Sequence, residues 1–225
     1  GAGGDELFAG YPWRYYRAIV NDSFEHYVDQ YYLYWQRLIT NTEIQKVFSP
    51  VWDEVRDVWT RDIFRGVFYT HKNNLETPED YINHSLYFEA KTFLHGLLVV
   101  EDKLSMAHGL ETRVPFLDND LVNFAMKCPV GLKLNNLNEA VRINENDTGD
   151  KTSKYYKKTN DGKMILRNAV KNYVPDSISR GVKQGFSSPD SSWFKGESID
   201  FVRGTLLSTS AQIFDVLDPE AVKAL

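Results

Sequence analysis

Between Tyr11 and about Thr40, apolar and aromatic residues recur at mixed three- and four-residue spacing, through Tyr15, Ile19, Tyr27, Tyr31, Tyr34, Trp35 and Leu38. That period puts side chains on one face of an α-helix, so the stretch reads as helical. A stripe of aromatics could be imagined as a base-stacking surface, but aromatics at helical spacing are the ordinary content of a core and are assigned to packing. Ser49-Pro50 and Thr77-Pro78 mark two helix starts, each with a hydroxyl cap, a proline in the first turn and acidic residues after it. Helical spacing resumes from Tyr81 to Met106 through Leu86, Phe93, Leu94, Leu97, Leu98 and Val100. Pro115 ends any helix before it, and a further helix is expected from Asp118 to Met126. Residues 135–161 are polar, rich in Asn, Lys and Asp, and are expected to form an exposed insertion. Order resumes with an amphipathic helix starting at Lys163 to Arg167, which Val174-Pro175 breaks.

Composition narrows the classes. With 225 residues, 42% of them hydrophobic, the chain can bury a substantial core and is most simply one domain or the larger part of one. A net charge of −5 and a pI near 5.6 argue against a general nucleic-acid surface. The single cysteine, Cys128, excludes an intramolecular disulfide framework, fits a reducing compartment and reads as a core residue. The longest apolar run is too short to cross a bilayer, so a cytosolic protein with no membrane partner is expected.

Two blocks carry candidate chemistry. At the start, Gly1, Gly3, Gly4 and Gly10 surround the pair Asp5-Glu6. Glycines allow close backbone approach to a polyanion, and a carboxylate beside such a loop can ligate the Mg²⁺ that accompanies nucleotide phosphates. The alternative is a Gly-rich turn capping a helix, with Asp5 and Glu6 favouring its positive end. Far downstream, Lys183-Gln184-Gly185-Phe186 places a lysine beside a Gly-Phe turn, a point charge suited to neutralising a phosphate or an oxyanion. His95 and His108 read as satisfied polar residues near the core rather than acid-base groups.

The order of these blocks resembles the synthetase domain of glutamine-hydrolysing asparagine synthetases and of the related β-lactam synthetases. The resemblance rests on Gly3-Gly4-Asp5-Glu6-Leu7-Phe8 with Gly10-Tyr11, on Glu101 to Ala107 running to Glu111-Thr112-Arg113-Val114-Pro115-Phe116-Leu117-Asp118, and on Lys163 to Arg167 followed by Lys183 to Phe186 and Pro189. It implies an α/β adenine-nucleotide α-hydrolase-like synthetase domain of which residues 1–225 are the mainly α-helical C-terminal part. The pyrophosphate loop and the glutaminase domain would lie upstream, and the fragment would not turn over alone. The implied reaction is ATP-dependent amidation of aspartate to asparagine through an acyl-adenylate, with ammonia from glutamine and release of AMP and pyrophosphate. ATP and Mg²⁺ are the implied cofactors, and a homodimer is compatible with it.

Residue by residue, the resemblance makes Asp5 a metal ligand, places Gly3, Gly4, Glu6, Gln184 and Gly185 around the nucleotide, and makes Lys183 the cation that stabilises the transition states. Lys163 matches a second phosphate-side lysine, while Arg167 fits either a site role or a structural ion pair. Glu111 and Arg113 fall on the acceptor side, with Arg113 either clamping a carboxylate or forming a structural salt bridge. One departure is Ala2, where the family carries an acidic residue or a tyrosine. An alanine methyl can neither take a proton nor orient a substrate, which opens the acceptor to carboxylates other than aspartate, including lactam-forming substrates. A non-catalytic helical binding module is the alternative of a different class.

Overall fold

The computed structural model describes residues 1–15, 21–36, 39–69, 75–135, 161–181, 196, 198–206, 208 and 211–224. Among these the regular structure is helical throughout, with no strand, as expected for a mainly helical chain. No helix of the described residues is long and apolar enough to cross a membrane. The chain divides into two compact units, Gly1–Tyr34 with Phe64–Gln184 and Trp35–Ile63 with Gly185–Leu225. The sequence reads as one domain or the larger part of one, and two of the three boundaries fall inside helices, Phe24–Trp35 and Thr60–Gly66.

The larger unit is organised around one long helical run. Thr77 caps it by accepting a hydrogen bond from the Asp80 amide, Asp80 reaches back to the Thr77 amide, and Pro78 supplies the first turn. Pro78–Phe88 passes into a π-helical turn at Glu89–Phe93 and then into Leu94–Ala107. The Phe24–Trp35 helix contributes Tyr27 and Tyr31, which stack with centroids 5.6 Å apart, and Phe64 and Phe88 meet at 4.5 Å. Tyr27, Tyr31 and Phe68 are wholly buried, so the aromatic stripe is core. Each such ring contributes about 1.5–3 kcal/mol by leaving water. Ile19 and Leu38 of the same pattern lie outside the described residues.

The helical period was a poorer guide to burial further along. Only Leu94 of the Leu94–Ala107 helix is buried, and Leu97, Val100 and Leu104 are exposed among the described residues. His95 and His108 are also exposed, which corrects their placement near the core: both fall on turns of this helix that no described element covers. Asp118 caps Asn119–Lys127 through the amides of Asp120 and Leu121, and Cys128 beyond it is buried as expected. Residues 136–160 of the expected insertion lie outside the described residues. Its flanks meet, however, because the Asn135 amide donates to the Asp161 carbonyl at 2.9 Å.

In the smaller unit, Thr40 and Glu43 form a capping box at the start of Asn41–Val47. The Asp218 amide, just before Pro219–Ala224, donates to the Val47 carbonyl at 2.7 Å. Ser49 does not cap a helix. Its hydroxyl donates to Asp218 at 3.3 Å, and Ser49–Val51 forms a 3₁₀ turn preceded by Phe48. A partner so remote in sequence leaves no trace in the local pattern.

Candidate functional site

The glycine-rich start folds as a left-handed residue, Gly3 at φ 89°, followed by the single helical turn Gly4–Leu7. Leu7 and Phe8 are buried with Ala125, and Phe116, Leu117, Ile165 and Leu166 pack around them. One small core therefore gathers the first motif, the Arg113 to Asp118 motif and the start of the Lys163 helix. A Cβ on Gly3 would overlap Leu117 Cδ2, and one on Gly1 would lie 2.8 Å from Phe116. Gly1 and Gly3 thus allow close packing of the second motif against the first.

Lys163 joins the same place from the other side. Its amide donates to the Phe8 carbonyl at 2.9 Å, its φ of 59° is left-handed, and Gly162 before it has no room for a Cβ against the Ala9 carbonyl. The consequence is an ion pair, with Lys163 Nζ 2.9 Å from Asp5 Oδ1. Neither side chain is sealed off: their exposures are 24% and 14%. Gly10 closes the geometry from below. Its amide donates to the Asp5 carbonyl at 2.8 Å, and a Cβ there would overlap Asp5 Oδ1 and come within 2.6 Å of Lys163 Cε.

Behind Asp5 runs a buried polar chain that sequence reasoning missed. Glu6 is buried and accepts from the Tyr11 hydroxyl at 3.3 Å. The Arg14 guanidinium lies 3.8 Å over the Tyr11 ring and 3.4 Å from Glu89. Glu89, wholly buried at the start of the π-turn, accepts from Tyr15 at 2.8 Å and from Tyr31 at 2.9 Å. Burial pushes the carboxyls of Glu6 and Glu89 above the usual range, against the pull of their hydrogen bonds and of Arg14. The clue in the sequence was that Glu89 shares a helical face with Ile82, Leu86 and Phe93, a charge where the period calls for an apolar residue.

Arg167 proves to be a structural clamp. Its Nε donates to the Gly162 carbonyl at 3.0 Å, and Nη1 donates to those of Ser179 at 2.9 Å and Gly181 at 3.0 Å. Burial lowers its pKa, while the charge of Asp5 acts in the opposite direction. Lys183, Gln184 and Gly185 lie outside the described residues, so Gly181 is the last described residue before them. Glu111 and Arg113 sit in an irregular segment and pair at 3.0 Å, each roughly three-quarters exposed, at 73% and 74%. Ala2 is half-buried beside Gly3.

Among the described residues no group of three or more His, Cys, Asp and Glu could hold a metal ion. Mg²⁺ at a nucleotide needs less, because it commonly takes one or two carboxylates and draws its other ligands from phosphates and water. Asp5, held in place above Gly10 with a lysine alongside, fits that pattern.

The profile of the family described as Asparagine synthase matches residues 1–225. Among curated proteins, the chain is 30% identical over 152 residues to "Asparagine synthetase [glutamine-hydrolyzing] 1" of Bacillus subtilis, covering 67% of this chain and 20% of that protein. It is 27% identical over 178 residues to "Asparagine synthetase [glutamine-hydrolyzing] 3" of the same organism, covering 77% and 23%. It is 32% identical over 109 residues to "Amidase chyE" of Penicillium rubens, covering 48% and 14%. The chain thus spans about a fifth of the length of the asparagine synthetases it matches. No solved structure matches it. With residues 1–225 matched by one family model, the chain belongs to the asparagine synthase family.

Proposed function

We propose that this chain works as the C-terminal part of an α/β adenine-nucleotide α-hydrolase-like synthetase domain that forms an amide at the expense of ATP. In that reaction a substrate carboxylate oxygen attacks the α-phosphorus and pyrophosphate leaves. Ammonia then attacks the acyl carbon, loses a proton, and AMP departs with the former carboxylate oxygen. Mg²⁺, when bound, neutralises phosphate charge and orients the departing pyrophosphate. The chain's own residues hold and position. Asp5 supplies a carboxylate oxygen to the metal, Lys163 and Lys183 supply positive charge to the phosphates, and the Gly3-Gly4 and Gln184-Gly185 segments flank the nucleotide. Glu6, next to Asp5, is a buried support for Tyr11. Arg113, exposed and paired with Glu111, is available to a substrate carboxylate, and Arg113→Ala should raise the KM for the acceptor.

The observation that carries this reading is the meeting of Asp5 and Lys163, brought together from distant motifs by a backbone bond and a glycine contact. In the first reading aspartate is the acceptor and ammonia comes from a glutaminase domain; the two Bacillus subtilis relatives are glutamine-hydrolysing asparagine synthetases. Ala2 supports a second reading, amidation or ring closure on a different carboxylate, since its methyl cannot perform the proton or orienting work of an acidic side chain. Pyrophosphate release by the full-length protein across a panel of carboxylates separates the two. Release with aspartate supports the first, release only with another acid supports the second, and none with any acid refutes both.

A further inference from the structure

We propose that Lys163 is a built-in counter-ion for Asp5 that exchanges places with the divalent cation: its ammonium covers the carboxylate while no metal–nucleotide is bound and turns to the phosphates when one arrives. The inference rests on the reading of Asp5 as the metal-facing carboxylate. Its basis is a contrast between a short acid and a long-stemmed base. Asp5 is short and cannot withdraw toward Gly10, whose backbone lies so close that even a methyl group would overlap Oδ1. Lys163 is fixed at its root, by its amide on the Phe8 carbonyl; its four-carbon stem passes Gly10 and ends in a 24% exposed head that rotation about the stem can redirect. The ammonium at 2.9 Å from Oδ1 stands in the space a cation ligated by that oxygen would need, and two positive ions do not share it.

The same lysine therefore has opposite effects on two ligands. It competes with a bare divalent cation, since both want Oδ1. It assists a metal–nucleotide complex, because phosphate oxygens offer the ammonium a new partner at the moment it is displaced. Binding of metal alone is suppressed, and metal and nucleotide enter together. A lysine serving only to hold the fold would show neither effect, and one serving only the phosphates would show the second alone.

The test uses the full-length protein and Mn²⁺ as the probe, titrated by electron paramagnetic resonance with and without a non-hydrolysable ATP analogue. Lys163→Met is expected to tighten Mn²⁺ alone by about tenfold or more and to weaken the Mn²⁺–analogue complex by a similar factor. Lys163→Gln should move both in the same directions, which guards against a folding defect in one variant. Asp5→Asn should abolish the Mn²⁺ site in either background. If Asp5→Asn removes the site but both lysine variants leave Mn²⁺ affinity unchanged or weaker, the exchange is wrong while the Asp5 reading stands. If Mn²⁺ binds Asp5→Asn as it binds wild type, the Asp5 reading falls and takes the exchange with it.

Discussion

Glu89 offers the sharpest test of how the support beneath the site is held. Tyr15 and Tyr31 converge on its carboxylate inside the core, with Arg14 at 3.4 Å. Burial raises its pKa, and neither Arg14 nor the two hydroxyls fully offset that. The net upward shift means that burial disfavours the negative charge, while the two buried hydroxyls still need an acceptor. Glu89→Gln retains one acceptor oxygen for a tyrosine and offers an amide to the other hydroxyl, so its cost should be about 1–2 kcal/mol. Glu89→Ala takes the acceptor from both buried hydroxyls and removes a partner of a buried guanidinium, which should cost about 4–6 kcal/mol. Native-state hydrogen exchange of the 78–93 amides in the full-length protein reads these values locally. The glutamine should speed exchange about tenfold and the alanine about a thousandfold or more. The pH dependence has a definite sign. A carboxyl whose folded pKa lies above its ordinary 4.5 stabilises fully below that value, and this contribution is lost as pH rises through the folded pKa. Glutamine has no proton to lose, so the gap between wild type and Glu89→Gln should narrow as pH rises. A glutamine as damaging as alanine, or a gap that widens with pH, would refute the reasoning.

Gly10→Ala forces a methyl into Asp5 and Lys163 and should cost about 1–3 kcal/mol in stability, with metal–nucleotide affinity falling about tenfold or more. Thermal unfolding and calorimetric titration read the two effects, and unchanged affinity would mean the glycine does not position the pair. Arg167→Met removes the donor from the carbonyls of Gly162, Ser179 and Gly181. It should destabilise that segment by about 2–4 kcal/mol and speed limited proteolysis between Gly162 and Gly181, whereas wild-type cleavage rates would show the clamp is dispensable.

The helices were legible wherever one face of a helix meets a core. Tyr27, Tyr31 and Leu86 announce themselves by spacing, and Thr77-Pro78 announces its own cap. The motifs were legible as an order of blocks, but not as an arrangement. Nothing local to Lys163 says that its amide would find the Phe8 carbonyl, and nothing local to Gly3 says that Leu117 would fill its missing Cβ. Arg167 shows the same limit: three carbonyls from two turns converge on it, and carbonyls carry no sequence signature. Glu89 lay hidden for a different reason. A charged residue on an apolar face reads as a break in the pattern until the tyrosines and arginine that satisfy it, from two other helices, are seen.

The central claim is that this family member forms an amide by adenylating a carboxylate. The most direct measurement supplies the full-length protein with ATP, an ammonia source and an acceptor whose carboxylate carries ¹⁸O, beginning with aspartate and continuing with the acid selected by pyrophosphate release. Mass spectrometry of the nucleotide and phosphate products then locates the label. The account predicts one labelled oxygen in AMP for each amide formed; label in inorganic phosphate alongside ADP would contradict it.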